Sequence, residues 1–101
     1  MEDMNPPPDL TVIIPTYNER EYLTTLVESI NAVLAGRRYE IIVVDDDSPD
    51  RTADLAQSLS HRYPIKVIRR KGEKGLSSAV VTGFKQAKGQ ILGVLYAGLE
   101  H

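Results

Sequence analysis

The chain contains no cysteine or tryptophan, and it has only two histidines and one phenylalanine among its 101 residues. Without cysteine it can form neither a disulfide nor a thiolate metal site. No apolar run approaches the roughly 20 residues that a membrane-spanning helix needs. The first residues also lack the basic and apolar regions of a signal peptide. We therefore expect a cytoplasmic protein, working at the cytoplasmic membrane surface if it is part of a longer form.

The chain also has no marked excess of positive or negative charge. Twelve basic residues face fourteen acidic ones, and the formal net charge is −2, which does not favour nucleic acid as a partner. A hydrophobic content of 42% with 26% charged residues is typical of one globular domain. We expect a flexible proline-rich tail over residues 1–9 and an α/β domain over residues 10–98. Residues 99–101 are either native or the vector-derived junction before a histidine tag.

Four short apolar runs predict strands at residues 10–14, 41–44, 65–68 and 91–95. Pro15 has no N–H to donate to a ladder, so we expect the first strand to end there. Gly36 and Gly89 predict helix ends, and Ser48 or Asp50 predicts a helix N-cap. Three apolar stripes at helical spacing separate the strands: Leu23, Leu26, Val27, Ile30, Val33 and Leu34; Leu55, Ala56 and Leu59; Leu76, Val80, Phe84 and Ala87.

The resulting order is β-α-β-α-β-α-β, and the strand runs are apolar without alternation, as in a parallel sheet covered on both faces. Right-handed crossovers then favour an open, doubly wound, Rossmann-like parallel sheet, with strand order 3-2-1-4. Unpaired sheet edges would make a homodimer through those edges plausible.

Three consecutive carboxylates, Asp45 to Asp47, follow the second predicted strand directly. Ligands of such sheets bind outside the carboxyl ends of the strands, so the acidic cluster lies where a site is expected. The Asp-Ser-Pro-Asp segment is also ordinary turn and cap chemistry. That second interpretation accounts for Asp50 and Asp47 but not for the whole cluster.

Two nucleotide- and metal-binding classes fit poorly. A dinucleotide-binding unit shows G-x-G-x-x-G after its first strand, whereas this chain reads "PTYNERE" there, without glycine. A response-regulator receiver has its acidic pair after the first strand and its acceptor aspartate after the third. Here the third strand ends in "IRRKGEKG", so the positions do not match.

Three segments, "TVIIPTYNERE", "EIIVVDDDSPDRTADLA" and "RRKGEKGLSSAVVTGFKQAKG", together resemble the N-terminal part of family 2 GT-A glycosyltransferases. Within that family the likeness is greatest to enzymes that transfer mannose to dolichyl or polyprenyl phosphate. The resemblance runs from about residue 10 to the end of the chain. It implies a nucleotide-sugar site for GDP-mannose or a UDP-sugar.

By that resemblance, Pro15, Tyr17 and Glu19 line the base and ribose side of the site. A flat aromatic face such as that of Tyr17 suits a base or ribose. The alternative for Tyr17 and Glu19 is a surface aromatic and an acid facing a helix N-terminus.

The resemblance also implies that Asp46 accepts hydrogen bonds from the base, with the Val44 backbone beside it. A carboxylate can accept both the ring and the amino N–H of guanine in a bidentate manner. We expect Asp45 to hold loop backbone groups rather than ligand.

The basic run of Arg69, Arg70, Lys71 and Lys74 would approach the diphosphate side in the family's pattern, with Lys71 and Lys74 as candidate contacts. Lys-rich loops are more often solvated edges. His61 has no second histidine or cysteine near it in sequence, so we expect it to be an exposed helix residue and no metal ligand.

The fourth loop, "VLYAGLEH", departs from the family's pattern. The family has Asp-x-Asp there, which binds Mg²⁺ or Mn²⁺ beside the diphosphate. Ala97 fits the pattern, but Tyr96 and Gly98 replace the two carboxylates. A neutral phenol is a poor ligand for such an ion, so we expect no metal to be bound by this chain.

Two functional hypotheses follow. In the first, the chain is the nucleotide-sugar-binding part of a hexosyltransferase that passes mannose from GDP-mannose to dolichyl or polyprenyl phosphate, and the chain alone is inactive. In the second, it is a non-catalytic nucleotide-binding or regulatory module that has lost the Asp-x-Asp. The first two motifs suit both hypotheses, while the fourth loop favours the second for this chain.

Overall fold

A computed structural model describes residues 6–73 and 75–97 of the chain. Strands and helices alternate in the predicted order. The elements are β1 (Leu10–Thr16), α1 (Arg20–Leu34), β2 (Tyr39–Asp45), α2 (Thr52–Leu59), β3 (Ile65–Arg69), α3 (Leu76–Gln86) and β4 (Ile91–Val94).

The four strands form one parallel sheet in the order β3-β2-β1-β4. Ile13 of β1 lies opposite Ile42 of β2 on one side and Val94 of β4 on the other. The doubly wound parallel fold and its strand order are thereby confirmed. Because β1 and β2 are the two central strands, their carboxyl ends meet at the middle of one sheet edge.

Two apolar cores lie on the two faces of the sheet. The face covered by α1 and α2 buries Ile14, Ile41 and Val43 of the strands with Leu23 and Val27 of α1. On the face covered by α3, the residues buried together are Ile13, Ile42, Val44 and Ala79. Burial on both faces is why the strand runs are apolar without alternation.

Pro15 does not end β1, which continues through Thr16. The Ile13 carbonyl accepts the Leu95 N–H at 3.0 Å on the β4 side, whereas the Thr16 carbonyl accepts the Asp46 N–H at 3.1 Å on the β2 side. Because backbone groups alternate sides along a strand, the nitrogen of Pro15 faces the β4 side. It lies there beyond Val94, the last residue of β4, so its missing N–H removes no ladder hydrogen bond.

The predicted apolar face of α3 is wrong by one position along the helix. Ala79 and Gly83 are the buried residues, while Leu76 and Phe84 are 55% and 41% exposed. A Cβ at Gly83 would lie 2.7 Å from Cγ2 of Ile13. Small residues let α3 approach β1 this closely, and the larger apolar side chains therefore flank the contact.

Two further details of the stripes differ from expectation. Val33 of α1 is 79% exposed, although it belongs to the predicted apolar stripe. Helix α3 ends at Gln86, so Gly89 does not terminate it. Gly89 instead permits a close approach, because a Cβ there would lie 2.6 Å from the backbone nitrogen of Thr11.

At the amino end of the sheet, Asp9 joins the predicted tail to β2. Its N–H donates to the Arg38 carbonyl at 2.9 Å, and its carboxylate pairs with the Arg38 guanidinium at 3.0 Å. None of the helices in the described part of the chain has the length and apolarity required to cross a bilayer.

Candidate functional site

A crevice of about 280 Å³ opens at the carboxyl ends of the central strands. Three separate parts of the chain form it: the end of β1, the end of β2, and the first turn of α3. Its lining residues are Pro15, Thr16, Tyr17, Glu19, Asp46, Gly75, Leu76 and Ala79.

Four of the predicted site residues, Pro15, Tyr17, Glu19 and Asp46, therefore line one crevice. Val44 is fully buried in the core beneath it, where it lies opposite Pro15 in the sheet register. Tyr17 is 43% exposed, so part of its ring surface is accessible. Parallel pairing of β1 with β2 brings these residues together from positions about 30 apart in sequence.

Asp45 holds the loop after β2, as expected. Its carboxylate accepts the backbone N–H of Ser48 at 2.9 Å and the Ser48 hydroxyl at 2.6 Å. It also accepts the Thr16 hydroxyl at 2.7 Å, which ties the end of β1 to the end of β2. Both carboxylate oxygens of Asp45 are therefore engaged by groups of the protein.

Asp50 caps two helices at once. Its Oδ1 accepts the N–H of Thr52 at 3.0 Å, at the start of α2, and its Oδ2 accepts the N–H of Arg20 at 3.2 Å, at the start of α1. Burial acts to raise the pKa of Asp50, but hydrogen bonds from Thr52 and Arg20 outweigh it and lower that pKa. The N-cap residue of α2 is Arg51 rather than Ser48 or Asp50, and Asp50 accepts the first N–H of the helix from the position before the cap.

Asp46 is buried in a bidentate ion pair with Arg70. The Arg70 Nε donates to Oδ1 at 2.7 Å and a terminal nitrogen donates to Oδ2 at 3.0 Å, while the Gly75 N–H also donates to Oδ2, at 3.1 Å. The two residues are only 5% and 6% exposed. The hydrogen bonds to Asp46 raise the pKa of the Arg70 guanidinium further above its ordinary value.

The backbone brings these two charges together. The Arg70 N–H donates to the Asp45 carbonyl at 2.8 Å, extending the pairing of β3 with β2 by one residue. Arg70 therefore lies directly beside Asp46. Removing one partner from such a buried pair costs about 3–5 kcal/mol, because an uncompensated charge stays behind.

The basic run does not form one cationic surface. Arg69 pairs with Asp54 of α2 at 2.7 Å, and the hydrogen bonds from Arg69 and then Arg51 lower the pKa of Asp54. Arg69 and Arg70 are thus both engaged in ion pairs with protein carboxylates. Lys71 is exposed, and Lys74 lies outside the described residues.

The residues of the fourth loop that the structure describes are not among those lining the crevice. Tyr96 and Ala97 line a second cavity, between α1 and the segment after β4, together with Tyr22, Thr25, Leu26, Ser29 and Leu95. Gly98 lies outside the described residues. Within residues 6–73 and 75–97, no three acidic, histidine or cysteine side chains cluster as ligands would. A neutral phenol such as that of Tyr96 is a poor ligand for a hard cation, and glycine has no side chain, so positions 96 and 98 do not fit Mg²⁺ or Mn²⁺.

Arg70 is the site residue whose role sequence reasoning missed. Its position in a Lys- and Arg-rich run suggested solvent or phosphate, and only the alignment of β3 beside β2 shows its contact with Asp46. Leu76 and Ala79 also line the crevice, whereas the sequence indicates for Leu76 only a place in the apolar stripe of α3 and gives no signal for Ala79. They line it because α3 begins at Leu76, at the edge of the crevice.

A parallel sheet with a crevice at the carboxyl ends of its central strands is the arrangement of nucleotide-binding α/β domains. The comparison with known families is more specific. A family model described as "Glycosyl transferase family 2" matches residues 11–100. The chain therefore belongs to glycosyltransferase family 2.

Among curated relatives, a dolichol-phosphate mannosyltransferase from Pyrococcus furiosus is 61% identical over 92 residues, which are 91% of this chain and 26% of that protein. A dolichol-phosphate mannosyltransferase from Saccharomyces cerevisiae is 37% identical over 97 residues, covering 92% of this chain and 36% of that protein. The chain thus spans about a quarter to a third of the length of these relatives.

Solved structures of GT-A enzymes share the fold. TarS from S. aureus in complex with UDP-GlcNAc superposes with a TM-score of 0.78 at 28% identity, covering 87% of this chain and 26% of that one. The mannosyltransferase PcManGT from Pyrobaculum calidifontis, in complex with GDP-Man and Mn²⁺, gives a TM-score of 0.66 at 28% identity, covering 85% of this chain and 26% of that one.

The double cap made by Asp50 predicts a pH-dependent stability difference. We expect Asp50→Asn to lower the free energy of unfolding by about 1 kcal/mol at pH 7, because an amide oxygen can replace only one of the two capping acceptors. The folded-state pKa of Asp50 is lowered, so its contribution is full above the unfolded value of 3.8 and is lost as pH falls below it.

The measurement is urea unfolding of both proteins at pH 7 and pH 3. Asp47→Asn is the matched control, since it removes the same charge from an exposed neighbour, and its effect should stay within about 0.5 kcal/mol. A deficit for Asp50→Asn that is equally large at pH 3 and pH 7 would contradict the capping role of the charge.

Proposed function

We propose that this domain binds the nucleotide part of a nucleotide sugar, GDP-mannose or a UDP-sugar, as the donor site of a family 2 glycosyltransferase. The observation that carries the proposal is the crevice in which Tyr17, Asp46 and Leu76 meet at the carboxyl ends of the central strands. An apolar, partly aromatic cleft with one buried carboxylate is suited to a planar base that has N–H donors.

In this proposal each lining residue has a separate task. The base lies against the ring of Tyr17 and the side chain of Leu76, both of which are partly exposed. Asp46 accepts a hydrogen bond from the base. Pro15 and Val44, paired across β1 and β2, form the rigid backbone floor beside it, and Glu19 lies on the ribose side.

The size of the crevice supports a nucleoside rather than a whole nucleotide sugar. About 280 Å³ is just below the range for small-molecule sites, roughly 300–1,000 Å³. The diphosphate and sugar would therefore extend out of the crevice. Lys71, which is exposed after β3, and Lys74 are the proposed cationic groups on the diphosphate side, and Ala97 is proposed to approach the sugar side.

The relatives favour a mannosyl donor and a lipid-linked acceptor. Two relatives that match more than nine-tenths of this chain are dolichol-phosphate mannosyltransferases, and the structure of PcManGT contains GDP-Man. We therefore propose that the complete protein transfers mannose or another hexose to dolichyl or polyprenyl phosphate. A homodimer through the edge strands β3 and β4 remains a further prediction.

A second candidate function is a non-catalytic nucleotide-binding module, and the fourth loop favours it for this chain. In the sequence, Tyr96 and Gly98 occupy the two positions at which the family has carboxylates. A departing nucleotide diphosphate needs its charge neutralised in the transition state. We accordingly propose that these 101 residues alone bind nucleotide but transfer no sugar.

Substitution of Tyr17 tests the nucleotide site directly. We expect GDP or UDP to bind the wild-type chain and Tyr17→Ala to weaken binding by about 1 kcal/mol or more, since the ring would lose its contact with the base. Isothermal titration calorimetry would measure both. Tyr17→Phe should retain most of the affinity because it keeps the ring, and Val33→Ala, on the exposed outer side of α1, should retain all of it.

Equal affinities for wild type and Tyr17→Ala would remove Tyr17 from the site. Failure of the wild-type chain to bind either nucleotide would contradict the proposed function.

Metal dependence tests the interpretation of the fourth loop. We expect nucleotide affinity of the wild-type chain to be the same with and without Mn²⁺. The double variant Tyr96→Asp, Gly98→Asp should gain Mn²⁺-dependent affinity of about tenfold, because it restores two hard oxygen ligands. Tyr96→Asn with Gly98→Asn is the matched neutral control and should gain none.

Neither the wild-type chain nor the Asp variant should transfer radiolabelled mannose to polyprenyl phosphate. Binding by the wild-type chain that requires Mn²⁺, or any transfer by it, would contradict this prediction.

A further inference from the structure

The buried guanidinium of Arg70 is fully committed to protein groups. We propose that Arg70 is a positioning residue that determines how Asp46 reads a base: with Arg70 in place, Asp46 accepts one N–H from the ligand and not two. The inference rests on the nucleotide site proposed above. It concerns which chemical groups of the base contribute to binding at that site.

All five N–H donors of Arg70 have an acceptor. One terminal nitrogen donates to Glu73 at 3.0 Å and to the Thr82 hydroxyl at 3.4 Å, and the other donates to the Gly75 carbonyl at 3.2 Å as well as to Asp46. The Nε donates to Asp46. A guanidinium has no further donors, so none remains for a phosphate or a base.

These contacts also fix the chain around the guanidinium. Glu73 and Gly75 come from the loop between β3 and α3, and Thr82 comes from α3 itself. Rotation of Arg70 out of its place would break bonds to all three as well as to Asp46. The planar fork of Arg70 therefore holds the carboxylate of Asp46 in one orientation, which a lysine, as a point charge, cannot do.

The same hydrogen bonds determine how many acceptor positions of Asp46 remain free for a ligand. A carboxylate has about four acceptor positions, two on each oxygen. Oδ2 already accepts from Arg70 and from the Gly75 N–H, and Oδ1 accepts from Arg70. One position, on Oδ1, remains for a ligand.

Bases differ in the number of N–H groups that they present to such a carboxylate. Uracil and hypoxanthine present one ring N–H, whereas guanine presents a ring N–H and an amino N–H side by side. A bidentate contact with guanine would need a free position on each oxygen. Because Oδ2 is filled, the amino group of guanine should add nothing at Asp46 while Arg70 is in place.

Guanosine diphosphate and inosine diphosphate separate the two possibilities, since they differ only in that amino group. By calorimetry on the wild-type chain, we expect their dissociation constants to agree within about threefold. In Arg70→Lys the fork is gone and Oδ2 is released, so we expect overall affinity to fall and preference for guanosine diphosphate to rise by about tenfold, the value of a hydrogen bond to a charged group.

A preference for guanosine diphosphate above threefold in the wild-type chain would overturn the inference, and this comparison needs no variant to fold. A preference that stays unchanged in a folded Arg70→Lys chain would show that Arg70 is only structural. Failure of the wild-type chain to bind any nucleoside diphosphate would instead contradict the proposed function, and the inference with it.

Discussion

The structure depends on how negative charge is accommodated at the carboxyl end of β2. Asp45 and Asp46 are both buried there, directly after four apolar residues, and a buried carboxylate is costly unless it is paired and hydrogen-bonded. The two carboxylates are stabilised by different partners. Asp46 pairs with Arg70 of the loop after β3, and Asp45 accepts hydrogen bonds from Thr16 and Ser48.

These ion pairs and hydrogen bonds connect the elements that border the crevice. Asp45 joins the end of β1 to the loop after β2, Asp50 joins the starts of α1 and α2, and Arg70 joins β2 to the start of α3. In the described part of the chain, no buried side-chain nitrogen or oxygen lacks a partner. A crevice whose walls are held in this way is preorganised, so a ligand would order little of the protein when it binds.

The order of elements and the sheet topology were predictable because apolar runs, helical stripes and turn residues all agreed with one architecture. The details that failed depend on neighbours in space. Pro15 stays within β1 because its nitrogen lies beyond the last residue of β4. In α3, Gly83 rather than Phe84 packs against Ile13. The contact between Arg70 and Asp46 also depends on neighbours in space, since no local sequence pattern indicates that the pairing of β3 with β2 places Arg70 beside Asp46 rather than in solvent.

The most direct test of the account is to follow the backbone amide resonances of the ¹⁵N-labelled chain by NMR while guanosine diphosphate is added. We expect the largest shifts at residues lining the crevice, Tyr17, Glu19, Asp46, Gly75 and Leu76. Amides at the opposite end of the sheet, such as those of Arg38 and Lys88, should stay unchanged. Shifts concentrated at that opposite end, or none at the crevice at saturating nucleotide, would contradict the assignment of this site.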